Sequence, residues 1–549
     1  MHPESTQAGP AGTRRVMRVD GSRVSLVMPG LQTWAVPLLA VMAIGFVLLG
    51  AGNLDLGPVD ARQGLAASEP LGPLGQVCGS WAPDLWPGRV AASRMATLFE
   101  GGGHPTPGSV LWPAALAAVA IGWTLARRMM GVMGRRAGLW VGLCWFGCLG
   151  VIDHSGGTGL ELLSGLAIVA AIDRLLAHGS DWKAGLWAAL AFVSGGWPPV
   201  VLILLAVIVI GRREANFSVP LVMPPLATAV AWSVWAMSSA STEAWAAAVV
   251  LPFTERPDWW FALEVLGLGL PFSPLAILTL SRRLRDNWSG AGRPMVIGWL
   301  QTAIACMIAG TIVPGLSQTA RVPALAGILL VAATALDAAW ARSLVGPARR
   351  AFFALIFGLL SVWLVTLMYG SYLWVLIFPY YRSVGIATVL LSVPALGLGW
   401  LAVETANTRR GLVALVFVAI SLKLVHWGYY VPEWNYRHGQ GPWGRAVGQW
   451  LLPNWTVYTF HDWPPDLTFA IGRPVCQLRS PQHLAFPATK QSKHVLLLDS
   501  EFDHWPADAP ALLKVATFHD QFGGRRVLAR TVGVLITPTG TLYSHDGSR

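Results

Sequence analysis

The sequence predicts a mainly α, polytopic membrane helix bundle that ends in a small α/β domain on the outer face. Three observations predict it. Hydrophobic residues make up 54% of the 549-residue chain and charged residues only 12%, about half the ~25% of ordinary soluble domains. The apolar residues fall into runs fit to cross a ~30 Å hydrocarbon core, with arginine clusters between them. After residue 430 the composition changes, and His, Asp and Pro appear at soluble density. So little charge cannot clothe a soluble globule of this size. A cytosolic enzyme, a disordered chain and a fibrous protein are excluded, in keeping with a mean hydropathy of +0.52.

Residues 1–30 form a polar segment with Arg14, Arg15, Arg18 and Arg23, expected in the cytoplasm. The run Leu31–Gly50 is longer than the apolar stretch of a cleavable signal peptide and reads as an uncleaved anchor. A Gly- and Pro-rich first outer loop covers 53–108. Further runs fall near 109–126, 138–152, 159–176, 184–195, 198–211, 218–238, 259–281, 295–316, 323–341, 351–370, 383–402 and 411–430. With the first, they give about thirteen crossings in a transmembrane domain over 31–430. Residues 371–381 are aromatic and too few to span, which suits an interfacial or re-entrant segment.

The stretch 184–211 decides the topology. It is broken by Ser194-Gly195-Gly196-Trp197-Pro198-Pro199, through which a helix does not continue regularly. Two helices there, with a cytoplasmic N-terminus, put Arg127/Arg128/Arg135/Arg136, Arg212/Arg213, Arg282/Arg283/Arg285, Arg349/Arg350 and Arg409/Arg410 all inside. One helix would put Arg212/Arg213 outside and invert every later cluster. Arginine in short loops favours the inside, so two helices are expected. The first loop and everything after 430 then lie on the outer face of a multi-pass cell-membrane protein. The tail, 431–549, reads as an α/β domain with strands at 456–460, 467–471, 495–498 and 532–537 and helices near 442–451 and 507–517.

The net charge of +11 does not indicate nucleic acid, because topology explains the arginine spacing better than a phosphate-tracking groove does. Cys144, Cys148 and Cys306 lie in apolar runs and read as buried packing thiols. Nothing in the sequence supports a bridge between Cys78 and Cys476. There is no P-loop, GxSxG, HExxH or paired CxxC, and the twelve histidines show no ligand-like spacing. No metal ligand set is assigned.

The polar residues expected at the outer surface carry the chemistry. Asp55 and Asp60 follow the first span; a carboxylate there can accept a proton from an acceptor nucleophile, or simply cap a helix. Glu161 sits near the start of the fourth span, where an acid is costly and a functional hypothesis by default. It also suits a first-turn dipole partner. Glu264 has a similar status. Arg321 stands apart in an outer loop and invites an anionic partner such as a lipid phosphate, or snorkels. Arg382, after Tyr380 and Tyr381, has the same two readings. Trp197 or Trp81 could stack a sugar, although the 28 tryptophans mostly reflect interfacial belts and packing.

Five stretches resemble the GT-C membrane glycosyltransferases of the protein O-mannosyltransferase and aminoarabinose-transferase type. They are Val59-Asp60-Ala61-Arg62, Gly185–Pro199 (GLWAALAFVSGGWPP), Pro252–Pro274 with Arg282/Arg283, Gly315–Pro323 (GLSQTARVP) and Trp443–Leu478. The last, with VYTF and FAIGRPV, is the most specific. Ala61 stands where the family usually has Glu, Gly196-Trp197 where it has Lys before Gly-Pro, and Arg321 where it has Lys. The third-loop acid of the family corresponds to Asp153 or Glu161, and spacing does not choose between them.

The resemblance implies a polyprenyl-phosphate-linked sugar donor at the outer face, membrane lipids as surroundings and an unidentified acceptor. Asp60, Glu161 and Asp153 are the catalytic candidates. Asp55, Arg62, Trp197, Arg321, Tyr380, Tyr381 and Arg382 are the substrate-binding ones. Assistance by a divalent cation is left open. A catalytically silent relative and a secondary transporter are the competing readings. The transporter reading lacks the midplane breaks and repeated halves such proteins tend to have.

Overall fold

The computed structural model describes residues 34–49, 56, 61, 63–65, 87–99, 106–154, 161–211, 218–239, 256–286, 288, 290, 292–452, 455–460, 464–473, 475–478, 480–485, 493–519, 524–532, 534–536 and 542–544. Among the described residues the apolar runs are largely helical. In chain order the helices used below are α1 (Ala35–Ala43), α2 (Pro87–Phe99), α3 (Pro107–Met133), α4 (Arg135–Phe146), α5 (Leu149–His154), α6 (Leu162–His178), α7 (Trp182–Gly195), α8 (Trp197–Ile210), α9 (Val219–Ser239), α10 (Phe261–Leu268), α11 (Gly292–Ile312), α12 (Ser317–Trp340), α13 (Gly346–Tyr372), α14 (Arg382–Glu404) and α15 (Thr408–Val425).

Local chemistry sets their ends. Thr106 accepts from Ser109 N at 3.2 Å ahead of Pro107 and opens α3. Asp181 accepts from Ala184 N at 2.8 Å and opens α7. Gly196, at φ +75°, ends α7, and α8 starts at Trp197 with prolines in its first turn. The predicted break is therefore present, and two helices replace one.

By length and composition, six of the described helices could cross a membrane, and a seventh if the bent pair counts as one span. That pair is α10 with the 3-10 helix Ser273–Leu280, bent by 105°, so the run expected as a regular crossing at 259–281 is broken. Pro271 lies in the break and Pro274 in the first turn of the 3-10 helix, where a continuous helix would need their missing N–H groups. A second expectation is corrected at 371–381. Residues 373–377 are a π-helical continuation of α13, in a 32-residue helix that ends at Ile377. A 3-10 turn, Pro379–Tyr381, then leads into α14. A third concerns Arg321, which lies in the first turns of α12 rather than in a loop.

Helix α12 is the axis of the bundle. Of its most apolar stretch 94% is buried inside the protein, against 28% for α13 and for α14. Small residues let its neighbours approach. A methyl group at Gly327 would meet the Trp299 carbonyl oxygen at 2.6 Å, and one at Gly165 would meet Val322 at 2.5 Å. Such close backbone approach is how helices associate where the surroundings are as apolar as their side chains. Cys144, Cys148 and Cys306 are buried in this packing, as expected.

The two ends of the bundle differ. At one end Arg136 forks onto Asp337 at 2.5 and 3.2 Å, Arg128 lies 3.4 Å from Asp173, and Arg174 binds Asp181 at 2.9 Å. Arg409 donates to the Trp340 carbonyl at 3.0 Å and Arg349 to that of Ala406 at 2.6 Å. These ties join the C-terminal turns of α3 and α6 to each other, those of α6 and α12 to the starts of α4, α7 and α15, and the first turn of α13 to the turn before α15. The other end holds Glu161, Asp153, Glu264 and Arg321.

Beyond α15 a π-helical turn, His426–Tyr430, carries the helix without a stop into α16 (Val431–His438). The boundary expected at 430 therefore falls inside a helix. The tail contains α17 (Gly441–Gln449), α18 (Pro465–Ile471) and strands β1 (Val457–Thr459), β2 (Val475–Gln477), β3 (His494–Leu498), β4 (Leu512–His519) and β5 (Arg525–Thr531). The sheet order is β2-β1-β3-β5-β4, with β1 parallel to both neighbours and the other pairs antiparallel.

Two sequence readings of the tail are corrected. Residues 467–471, expected as strand, lie in α18, where Pro464-Pro465 starts a helix and Gly472 stops it at φ +62°. The helix expected near 507–517 is strand β4, whose LLKVATF alternates loosely and pairs with β5. Strand β3 is buried on both sides: Leu496 packs with Trp443, Val447 and Leu467, while Val495 and Leu497 pack with Leu484. Phe469 of α18 packs with Val110 and Leu111 in the opening turns of α3, and with Leu56 and Ala61. The tail thus sits on the end of the bundle that carries Glu161.

Candidate functional site

Three charged constellations lie at this end, built on the first turns of α6 and α12, on α5 and α10, and on the helix from α15 into α16. Glu161 immediately precedes α6. Its Oε2 accepts from Thr319 Oγ1 of α12 at 2.8 Å and from Ser164 Oγ at 3.1 Å. Both hydroxyls are buried. The two hydroxyl donors fix the orientation of the carboxylate. A methyl group at Gly195 would meet the Ser164 side chain at 3.1 Å, which places the end of α7 beside this acid.

Two residues after Thr319, the Arg321 guanidinium meets both carboxylate oxygens of Glu264 from α10, at 2.9 and 3.1 Å. The arginine expected to stand apart is therefore compensated. The Glu264 side chain is 39% exposed, so the pair is open to a competing anion.

Asp153 on α5 accepts from His426 Nε2 at 2.8 Å, and the imidazole is buried and stacked on Tyr430. A proton on Nε2 fits this contact. One turn earlier, Lys423 donates to the Phe46 carbonyl at 2.5 Å and lies 4.2 Å from the centre of the Trp427 ring. Phe46 belongs to the π-helical end of the first helix, Ile44–Leu48. Farther along, buried Glu433 pairs with Arg437 and sits 3.5 Å from the Tyr380 hydroxyl.

Of the predicted residues, Glu161 is bound by Thr319 in the first turn of α12, two residues before Arg321 on the same helix, and Asp153 lies at this end on α5. Tyr380 and Tyr381 pack against each other with ring centroids 4.6 Å apart and tilted by 54°, and Tyr381 meets Tyr429 edge-on at 5.1 Å, in a separate aromatic cluster. Arg382 is exposed at the start of α14 and makes no hydrogen bond or ion pair among the described residues. Trp197 packs edge-on against Phe192 at 5.1 Å, in a core group with Val200 and Trp232. Asp55, Asp60 and Arg62 lie outside the described residues, although Ala61 beside them is fully buried. Among the described residues no three His, Cys, Asp or Glu side chains gather as a metal site.

The sequence reading did not select His426, Lys423, Thr319 or Glu433. Their signal is visible in retrospect. Lys423, His426, Tyr430, Glu433 and Arg437 recur every three or four residues from inside the last apolar run, and a lysine within such a run is itself a functional hypothesis.

The architecture has solved counterparts. ArnT from Cupriavidus metallidurans bound to undecaprenyl phosphate superposes with a TM-score of 0.69 at 14% identity, covering 91% of this chain and 98% of that one. ArnT from the same organism in the apo state gives 0.66 at 15% identity with the same coverage. The chain has the GT-C fold. No protein-family sequence model and no curated protein matches it.

Proposed function

We propose that the chain is a glycosyltransferase that takes a sugar from a polyprenyl-phosphate donor. The observation that carries this is the pairing of a whole-chain GT-C fold with an acid, Glu161, oriented by two hydroxyls, one of them from the first turn of the helix that also carries Arg321. One of the solved counterparts binds undecaprenyl phosphate. In this reading the chain crosses the membrane about thirteen times. The arginine end faces the cytoplasm by the positive-inside rule, and the first loop and tail lie on the outer face.

The donor phosphate competes with Glu264 for Arg321 and is held by charge-assisted hydrogen bonds. Arg382 and the tyrosines 380 and 381 flank the interface where the prenyl chain enters. Asp60 deprotonates or orients the acceptor, which attacks the anomeric carbon as the lipid phosphate leaves. A single displacement inverts the configuration. Glu161 and Asp153 supply the second acid, with Asp153 oriented by His426. The acceptor is a lipid, a glycan or a protein, and the tail helps to choose it.

Transfer by purified protein in liposomes tests this. Asp60→Asn is expected to lower turnover by about 100-fold or more, within the usual range for a general base. Unchanged transfer removes Asp60 from the role. A second reading, donor binding without transfer, is favoured by Ala61, which is fully buried where the family usually carries an acid. Retention of polyprenyl phosphate with no turnover in the wild type would select it.

A further inference from the structure

A cavity of about 480 Å³ opens at the arginine end, between the C-terminal turns of α3 and α6. Trp123, Arg127, Arg128, Asp173, Arg174 and His178 dominate its lining. It is distinct from the site above: Asp173 lies twelve residues along α6 from Glu161, about 18 Å at 1.5 Å per residue. The volume is within the range of small-ligand pockets.

Its charges are unevenly spent. Arg128 faces Asp173 at 3.4 Å, and Arg174 is held by Asp181 at 2.9 Å. Arg127 is exposed in the cavity wall and makes no hydrogen bond or ion pair among the described residues. One cation is therefore left over, which matches the single negative charge of a phosphodiester. The rest of the wall is membrane-like. Trp123 is 39% exposed, and Val132 and Ala177 line the cavity beside it. An exposed Trp beside arginines at the end of an apolar helix is the composition of a bilayer interface. A soluble anion has no use for that apolar wall, whereas the glycerol and first methylenes of a phospholipid do.

We propose that this cavity binds the phosphodiester headgroup of an anionic membrane phospholipid, with Arg127 as its principal charge partner. Basic pockets between helices on the cytoplasmic side suit such headgroups.

Native mass spectrometry of the full chain in mild detergent tests it, with phosphatidylglycerol titrated against phosphatidylcholine of the same acyl length. The wild type is expected to retain phosphatidylglycerol preferentially. Arg127→Gln should reduce that retention about fivefold, the worth of one cation at a membrane surface, and leave phosphatidylcholine unchanged. Arg350→Gln, at an exposed arginine outside the cavity, should change neither. Equal retention by Arg127→Gln and wild type overturns the proposal, as does an equal loss in Arg350→Gln. Displacement of phosphatidylglycerol by millimolar inorganic phosphate would assign the cavity to a free anion and overturn the lipid assignment. Sugar transfer is read separately, so failure here is distinguishable from failure of the transferase reading.

Discussion

The two ends of the helix bundle use the same residue types for different ends. At one, Asp337, Asp173 and Asp181 each meet an arginine, and each pair ties neighbouring helices together. At the other, Glu161 meets two hydroxyls and Asp153 meets an imidazole. The difference lies in these partners: guanidinium groups at one end, hydroxyl and imidazole groups at the other. A carboxylate forked onto a guanidinium is neutralised and serves as a fastener. A carboxylate that accepts from hydroxyls is oriented by donors that carry no countercharge, an arrangement suited to a base or a cation-stabilising acid.

The sharpest way to break the comparison is to treat the ion pair at the carboxylate end as another fastener. If Arg321 serves the donor phosphate, Arg321→Ala raises the donor KM by about 10-fold or more, the worth of a charged hydrogen bond, with little loss of melting temperature. If it is a fastener, the melting temperature falls and KM stays. Initial rates and a thermal melt on one preparation separate the two.

The converse holds for Arg136. Its fork onto Asp337 is partly exposed, so Arg136→Leu should cost about 1 kcal/mol of stability after allowance for solvent screening. Turnover per folded molecule should be unchanged. A loss of turnover without a loss of stability would break the division between the ends.

The smallest effect concerns the tail. His494 is buried, stacked on Trp455 at 4.2 Å, and burial together with Arg530 holds its pKa below the ordinary value near 6.5. The unfolded chain therefore binds the proton more readily. The stabilising contribution is present above pH 6.5 and is lost as pH falls below it. Melting at pH 7 and pH 5.5 should differ by a few degrees at most, and His494→Gln should reduce the difference.

Much of the fold was legible because membranes demand long apolar runs and arginines sort to one end. The Gly-Gly-Trp-Pro-Pro break was readable for the same kind of reason: Gly196 takes a positive φ and the prolines cannot continue α7. The tail was less legible. Short segments such as 467–471 and 512–519 carry no decisive period, and tertiary pairing decided them.

At the site, Glu161 was found as an acid that is costly in an apolar segment, Arg321 as a cation expected on the outer face, and Asp153 only through the family resemblance. Their partners were not. Thr319 is 158 residues from Glu161 and His426 is 273 from Asp153, and nothing local signals such pairings. Glu264 was noticed, but its fork with Arg321 depends on the packing of α10 against α12.

The central claim is that the hydroxyl-held acid at the tail-capped end takes part in transfer. A single-turnover assay with preloaded polyprenyl-phosphate sugar measures this most directly, because donor binding is already complete. Glu161→Gln keeps the shape and both hydroxyl contacts but loses the charge. The account predicts a fall of about 100-fold or more in the transfer step with the melting temperature intact, while Asp173→Asn leaves that step alone. Transfer at the wild-type rate in Glu161→Gln would contradict it.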